Sequence, residues 1–366
     1  MRLATPFPRH RWSLYILGLA AWLGACGGAG GGGATGSGGG GGPPPPALSC
    51  VALDFSGPPV GPQPYAPCSG CTCTSIGYTP LTDLGTGTYQ GFEGGLYCEG
   101  SNARPSAHEA AGVALAQAVG PLDAGGSPSP AGRYVFVSIG MSNTTQEFST
   151  FVPMANAEPG KDPRLVVVDC AQGGQAADAW ADPANAVWPT LDARLAAAGV
   201  TPAQVVTAWV KLAEKSPSAA FPQDALALAN DMAATLRNLK AHCPNVAMAY
   251  LSSRIYAGYA TSTLNPEPYA YQTGFAVKKL ILDQISGDTT LNYDAGKGAV
   301  LAPWIAWGPY LWADGTTPRG DGLAWACSDL VSDGTHPSAT GRAKVAQMLL
   351  DFVKTDTTAS PWFLGP

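Results

Sequence analysis

Tyr134-Val135-Phe136-Val137-Ser138-Ile139-Gly140 is an apolar run, with one serine, stopped by a glycine, and Met141-Ser142-Asn143 follows at once. A run without polar alternation suits a strand buried on both faces, as in a parallel sheet. A helix is expected next over residues 144–152, with Pro153 as its stop. Leu165-Val166-Val167-Val168-Asp169 reads as a second strand, ended by a turn at Gly173-Gly174. Residues 186–198 then place Val187, Leu191 and Leu195 on one helical face. Residues 204–210 make a third strand and 223–242 a long helix; 246–251 make a fourth strand, followed by helices over 269–285 and 339–354. Strands separated by helices predict a three-layer α/β/α domain around a central parallel sheet, flavodoxin-like in layout. In such a sheet the loops after the strands converge on one rim. Ser142 follows the first strand, Gly173 and Gly174 the second, Lys211 the third, and Ser252-Ser253-Arg254 the fourth.

Upstream of this domain the composition changes twice. Arg2, Arg9 and Arg11 precede a short apolar stretch over 14–25, which ends in Leu23-Gly24-Ala25-Cys26. The stretch is well short of the ~20 apolar residues that span a bilayer, so residues 1–25 read as a signal peptide. Leu-Gly-Ala-Cys resembles a bacterial lipobox, which makes Cys26 the expected lipidation site; the alternative is an ordinary signal peptide with a chance cysteine. Residues 26–46 are nearly all glycine and then Pro43 to Pro46, a flexible leash ending in a stiff extended piece. The expected location is therefore exported and lipid-anchored. In a Gram-negative host it would be the outer membrane or cell surface, since Gly27 beside the cysteine is similar to an outer-membrane sorting signal.

Roughly 320 residues remain, enough for one large α/β domain. They divide into a Cys-rich N-terminal segment, 47–130, expected to pack on the main domain, and the domain itself, 131–366. Charged residues are only 13% of the chain, its net charge is −6, and no Lys/Arg cluster stands out after the leader. That argues against nucleic acid as a partner and leaves the lipid anchor as the expected membrane contact. Apart from Cys26 the cysteines are Cys50, Cys68, Cys71, Cys73, Cys98, Cys170, Cys243 and Cys327. An even number outside the cytoplasm predicts disulfides. Five lie before residue 100 and three after, so if all pair, at least one bridge joins the two segments. Cys68-Ser69-Gly70-Cys71-Thr72-Cys73 could instead bind zinc or exchange disulfides, but it lacks a second ligand cluster.

Near the C-terminus stands Asp333-Gly334-Thr335-His336-Pro337-Ser338. A carboxylate three residues before a histidine, brought to Ser142, supplies a hydroxyl, a base for its proton and an acid to orient the base. Each piece has a plainer reading. Ser142-Asn143 could be a helix N-cap, Asp333 could bond its own backbone in a turn, and Gly173-Gly174 could merely permit a tight turn.

Together the motifs resemble the SGNH hydrolases, or GDSL esterase/lipase superfamily, over roughly residues 133–354. Ser138-Ile139-Gly140-Met141-Ser142-Asn143 is similar to the first family block, with Met141 where aspartate is common. Asp169-Cys170-Ala171-Gln172-Gly173-Gly174-Gln175 is similar to the second, and Asp333-Gly334-Thr335-His336 to the last. The resemblance implies Ser142 as nucleophile, His336 as general base, Asp333 as its orienting acid, and Gly174 as an oxyanion donor beside the Ser142 backbone. It implies no metal and no organic cofactor. The third block departs from the family: Ala208-Trp209-Val210-Lys211-Leu212 has no asparagine, so Lys211 stands either as a replacement oxyanion donor or as a peripheral lysine.

Arg254, Ser253 and Asn143 are the expected substrate contacts, placed by the rim. Arg104 and His108, in a polar loop before the sheet, either touch substrate or merely lead into a helix from Ser106. Trp304, Trp307, Trp312 and Trp325 form an aromatic wall for a sugar or simply pack. The expected function is an exported serine esterase cleaving acyl or acetyl esters, on carbohydrate if the tryptophans are exposed. The rivals are a lipid or small-ester esterase and, from another class, a non-catalytic surface-binding lipoprotein.

Overall fold

The computed structural model describes residues 50–58 and 68–365. Cys26, the signal peptide over 1–25 and the tether over 26–46 lie outside the described residues. Five parallel strands form the central sheet: β1 (Tyr134–Gly140), β2 (Leu165–Val168), β3 (Val205–Lys211), β4 (Met248–Leu251) and β5 (Trp304–Trp307), in the order β2-β1-β3-β4-β5. All seven residues of β1 and all seven of β3 are buried, which is why they read as mostly apolar runs. In register, Ile139 faces Val210 and Gly140 faces Lys211, so the ends of β1 and β3 lie side by side.

Helices cover both faces. On one side lie α1 (Ser106–Ala118) and α2 (Ser142–Ala157), the latter packed on α7 (Ala339–Thr355). The other side carries α3 (Ala177–Ala181), α4 (Val187–Ala197), α5 (Gln223–His242) and α6 (Tyr269–Ile285), with α5 against both α3 and α6. This is the three-layer α/β/α arrangement with a central parallel sheet.

Two boundaries differ from the sequence reading. Pro153 does not stop α2, which runs on to Ala157. Proline there removes one N–H and crowds the carbonyl one turn back, a cost of about 3 kcal/mol. Against it, Phe148, Phe151 and Ala155 are all fully buried on one stripe, with Phe148 and Phe151 edge-on to Phe136 of β1. Burying two such rings contributes roughly 1.5–3 kcal/mol each, enough to carry the helix through. The second difference is β5, a fifth strand that the sequence pattern does not predict. Trp-Ile-Ala-Trp between Pro303 and Gly308 is too short to show a period, yet all four residues are buried.

The Cys-rich segment belongs to the same compact unit as the sheet. Disulfides join Cys50 to Cys98, Cys68 to Cys73 and Cys71 to Cys327. The last links the N-terminal segment to the loop before α7. Not all eight cysteines pair: Cys170 and Cys243 are buried thiols, and burial pushes Cys243 up to about 12. Cys68, Cys71 and Cys73 are all spent in disulfides rather than free to hold zinc.

Candidate active site

β1 ends at Gly140, where a side chain has no room: a Cβ would lie 2.4 Å from the Lys211 carbonyl oxygen. Met141 is extended, and Ser142 is the first residue of α2. It is therefore not the N-cap; it stands inside the first turn, where backbone N–H groups lack intrahelical acceptors and the helix dipole is positive.

The Asp333–His336 loop comes to this helix end. Ser142 Oγ lies 2.8 Å from His336 Nε2, and His336 Nδ1 lies 2.6 Å from Asp333 Oδ2. The other carboxylate oxygen, Oδ1, accepts the N–H groups of Thr335 and His336 at 2.8 and 2.9 Å. Asp333 thus closes its own turn and orients the imidazole together, one oxygen for each task. Burial acts to raise its pKa, but the bonds from His336 and Thr335 outweigh it and hold the carboxyl below its ordinary value. Nδ1–H directed at that carboxylate leaves the Nε2 lone pair facing the serine hydroxyl.

Three contacts fix the loop. Asn143 Nδ2 donates to the Thr335 carbonyl at 2.9 Å, and the Thr261 N–H donates to the Asp333 carbonyl at 3.1 Å. Gly334 has φ +64°, and a Cβ there would lie 1.9 Å from the Tyr259 carbonyl oxygen, so only glycine fits. The glycine turn after β2 is pinned from the other side. Ser138 Oγ donates to Asp169 at 2.6 Å and accepts the N–H groups of Cys170 and Ala171, both at 3.0 Å. Gly174, at φ +80°, then reaches the cavity beside Ser142.

Ser142, Asn143, Gly174, Arg254 and His336 line one cavity of about 280 Å³. The other expected residues lie elsewhere. Lys211 is completely buried, and its ammonium is gripped by both oxygens of Glu147 at 2.6 and 2.5 Å, apart from the lining. Its pKa is pushed down to about 8 by burial, against the attraction of Glu147. Lys211 is thus a strut between β3 and α2, which corrects its reading as an oxyanion donor. Ser253 is also buried outside the lining, with its hydroxyl spent on the Arg254 carbonyl and the Leu311 N–H. Asn143 has its amide nitrogen committed to the loop.

Arg104 pairs with Glu109 and Asp356, and His108 is buried against Trp304 with Nε2 2.8 Å from the Ile305 carbonyl. Neither belongs to the site. All four tryptophans are buried, each indole N–H bonded to His108, Leu96, Glu267 or Leu311 respectively. They pack; they do not form a sugar-binding wall.

The sequence does not single out five further lining residues: the apolar Ala176 and Leu264, and the polar Glu214 and Lys215 after β3 and Asn265. The pair Glu214-Lys215 in a chain so poor in charge was the available signal. Burial pushes the Glu214 carboxyl up to about 7, reinforced by Asp231, Asp224 and Asp178 nearby. Burial likewise raises Asp224 and Glu267 to about 7. Groups raised on folding hold protons in the native state that the unfolded chain has already released, so stability falls as pH climbs through that range. His108, lowered to about 4 by burial, works the other way but finishes near its ordinary value of 6.5. Three raised carboxyls outnumber the one histidine, so their contribution to the melting temperature is expected to drop between about pH 5 and 7 and level off above that, and Glu214→Gln to flatten the slope across that window in thermal melts.

No protein-family model matches the chain, and no curated protein does. Among solved structures it is similar to the YxiM protein of Bacillus subtilis, 15% identical over 62% of this chain and 58% of that one, with a TM-score of 0.34. A Parabacteroides merdae structure named for a GDSL-like lipase is 12% identical over 60% of this chain and 94% of that one, with a TM-score of 0.33. The periplasmic domain of a lipopolysaccharide acetyltransferase from Salmonella ser. Paratyphi A is 11% identical over 61% and 82%, with a TM-score of 0.31. The chain spans less than two thirds of the YxiM protein's length. These likenesses are distant, and the site stands on its own residues.

Proposed function

We propose that this protein is an SGNH-type serine hydrolase that cleaves carboxylic esters. The observation that carries the reading is the line Ser142 Oγ–His336 Nε2–Asp333 Oδ2, at 2.8 and 2.6 Å, opening into a cavity. Ser142 Oγ attacks the ester carbonyl as His336 Nε2 takes its proton. The carbonyl oxygen becomes an oxyanion held by backbone N–H groups of Ser142 and Gly174, while Lys211 is held away by Glu147. The C–O bond to the alcohol then breaks, and His336 returns the proton to the departing oxygen. Water adds to the acyl-enzyme with the same base, releasing the acid and restoring Ser142.

The burial of the tryptophans removes the support for a carbohydrate wall, so sugar stacking forms no part of the reading. The test is covalent: a fluorophosphonate probe should label the folded protein at Ser142. Failure to label would favour a non-catalytic binding lipoprotein. For location we propose export and lipid attachment at Cys26. Cys26→Ser is expected to move the protein out of the membrane fraction of expressing cells; an unchanged distribution would refute the anchor.

A further inference from the structure

Three side chains lining the cavity, Glu214, Arg254 and Asn265, carry buried polar atoms without a hydrogen-bond partner, and only Arg254 leaves donors bare. Arg254 is 2% exposed, yet its Nε and Nη2 have no hydrogen-bond acceptor. Its backbone is fixed, since its N–H donates to Thr273 Oγ1 at 2.9 Å just past the end of β4. Three carboxylates lie near enough to attract the guanidinium, Glu147, Glu267 and Asp333. Each is already occupied. Glu147 holds Lys211, Glu267 accepts from Ala257, Tyr271 and Trp312, and Asp333 holds His336 and its own turn. Arg254 has no ion pair of its own among the described residues.

A buried guanidinium with bare donors is expensive to keep, and removing charge from water is offset only by a well-placed counter-charge. The two bare atoms are informative. Nε–H and the neighbouring Nη2–H lie on one edge of the planar guanidinium and point the same way. That edge matches two oxygens of a planar anion, the fork geometry that distinguishes arginine from lysine. A single tetrahedral oxyanion would engage one donor and leave the other bare. In the same cavity Asn265 Oδ1 is buried and unpartnered, an acceptor for a hydroxyl beside the anion.

We propose that Arg254 receives a carboxylate carried by the ester substrate, so that the enzyme's class of substrate is acidic esters. The carboxylate comes either on the alcohol side, as in an acylated sugar acid, or on the acyl side, as in a monoester of a dicarboxylic acid. This rests on the hydrolase reading above for its chemistry, and on Arg254 alone for its selectivity.

The experiment uses the purified full-length protein and two matched pairs. O-acetyl glucuronate against O-acetyl glucose tests the alcohol side; monomethyl succinate against methyl 4-methylpentanoate, its uncharged isostere, tests the acyl side. At least one acidic ester should be preferred by roughly tenfold to a hundredfold in kcat/KM, carried mainly by KM, the range of a charge-assisted bidentate bond. Arg254→Gln should bring that ratio towards one, and Arg254→Lys, which keeps charge but not the fork, should restore only part of it.

Equal turnover within both pairs would overturn the proposal. So would a loss in Arg254→Gln that is the same for acidic and neutral esters, the mark of an oxyanion or structural role. A binding arm separates this from the hydrolase reading. Succinate or glucuronate should raise the melting temperature of Ser142→Ala protein, and adding Arg254→Gln should abolish the shift. Arg254-dependent binding with no ester cleaved would keep the carboxylate site and remove the hydrolase. Ester cleavage with no acid preference and no binding would do the reverse.

Discussion

Ser142→Ala is expected to lower ester turnover by roughly 10⁴–10⁶-fold while leaving the fold unchanged. The size follows from what is lost. Without Oγ there is no acyl-enzyme, and water must attack directly with only backbone donors and binding to help. The substitution removes one bond, to His336, from a side chain that no core contact depends on. His336→Ala should fall in the same range, because the two act as a unit and their losses do not add. Asp333→Asn is more telling. The amide oxygen can still close the turn by accepting from Thr335 and His336, but the amide offers His336 no carboxylate charge and favours the wrong tautomer, a loss of roughly 10⁴-fold in such sites. Turnover of 4-nitrophenyl acetate by each variant, with circular dichroism as the fold control, checks all three. A Ser142→Ala protein retaining a tenth of wild-type turnover would exclude Ser142 as nucleophile.

Lys211→Met is expected to cost about 3–5 kcal/mol of stability, enough to unfold many domains, because it strands Glu147 as a fully buried carboxylate. The pair joins the end of β3 to α2 one turn beyond Ser142, so the loss also loosens the helix that presents the serine. Burial already drives both groups towards their neutral forms, raising Glu147 and lowering Lys211. Removing both charges should therefore be far milder than removing one. Lys211→Met with Glu147→Leu is predicted to recover most of the lost stability in urea titrations. A single Lys211→Met variant as stable as wild type would show that the ion pair bears no weight.

The layout of the sheet was legible because β1 to β4 are mostly apolar runs of ordinary length, closed at Gly140, Asp169, Lys211 and Ser252. β5 was hidden by its brevity and by tryptophans that suit a loop as well as a strand. Pro153 misled because local preference was outweighed by Phe148 and Phe151 packing on β1, a tertiary effect. At the site, Asp333 and His336 could be paired from their spacing, and Ser142 from its place after β1. Lys211 could not be assigned, since only its distance from Glu147 distinguishes a buried strut from an oxyanion donor. Ser253 and Arg254 are adjacent in sequence and sit at the same strand end, yet one faces into the protein and the other into the cavity. That alternation depends on a local register that composition does not reveal.

Peptide mapping after treatment with a fluorophosphonate probe tests the central claim most directly. The account predicts one adduct per chain, on Ser142, formed by the folded protein and lost when His336 is replaced by alanine. A folded protein that takes no label, or takes it on another serine, would contradict it.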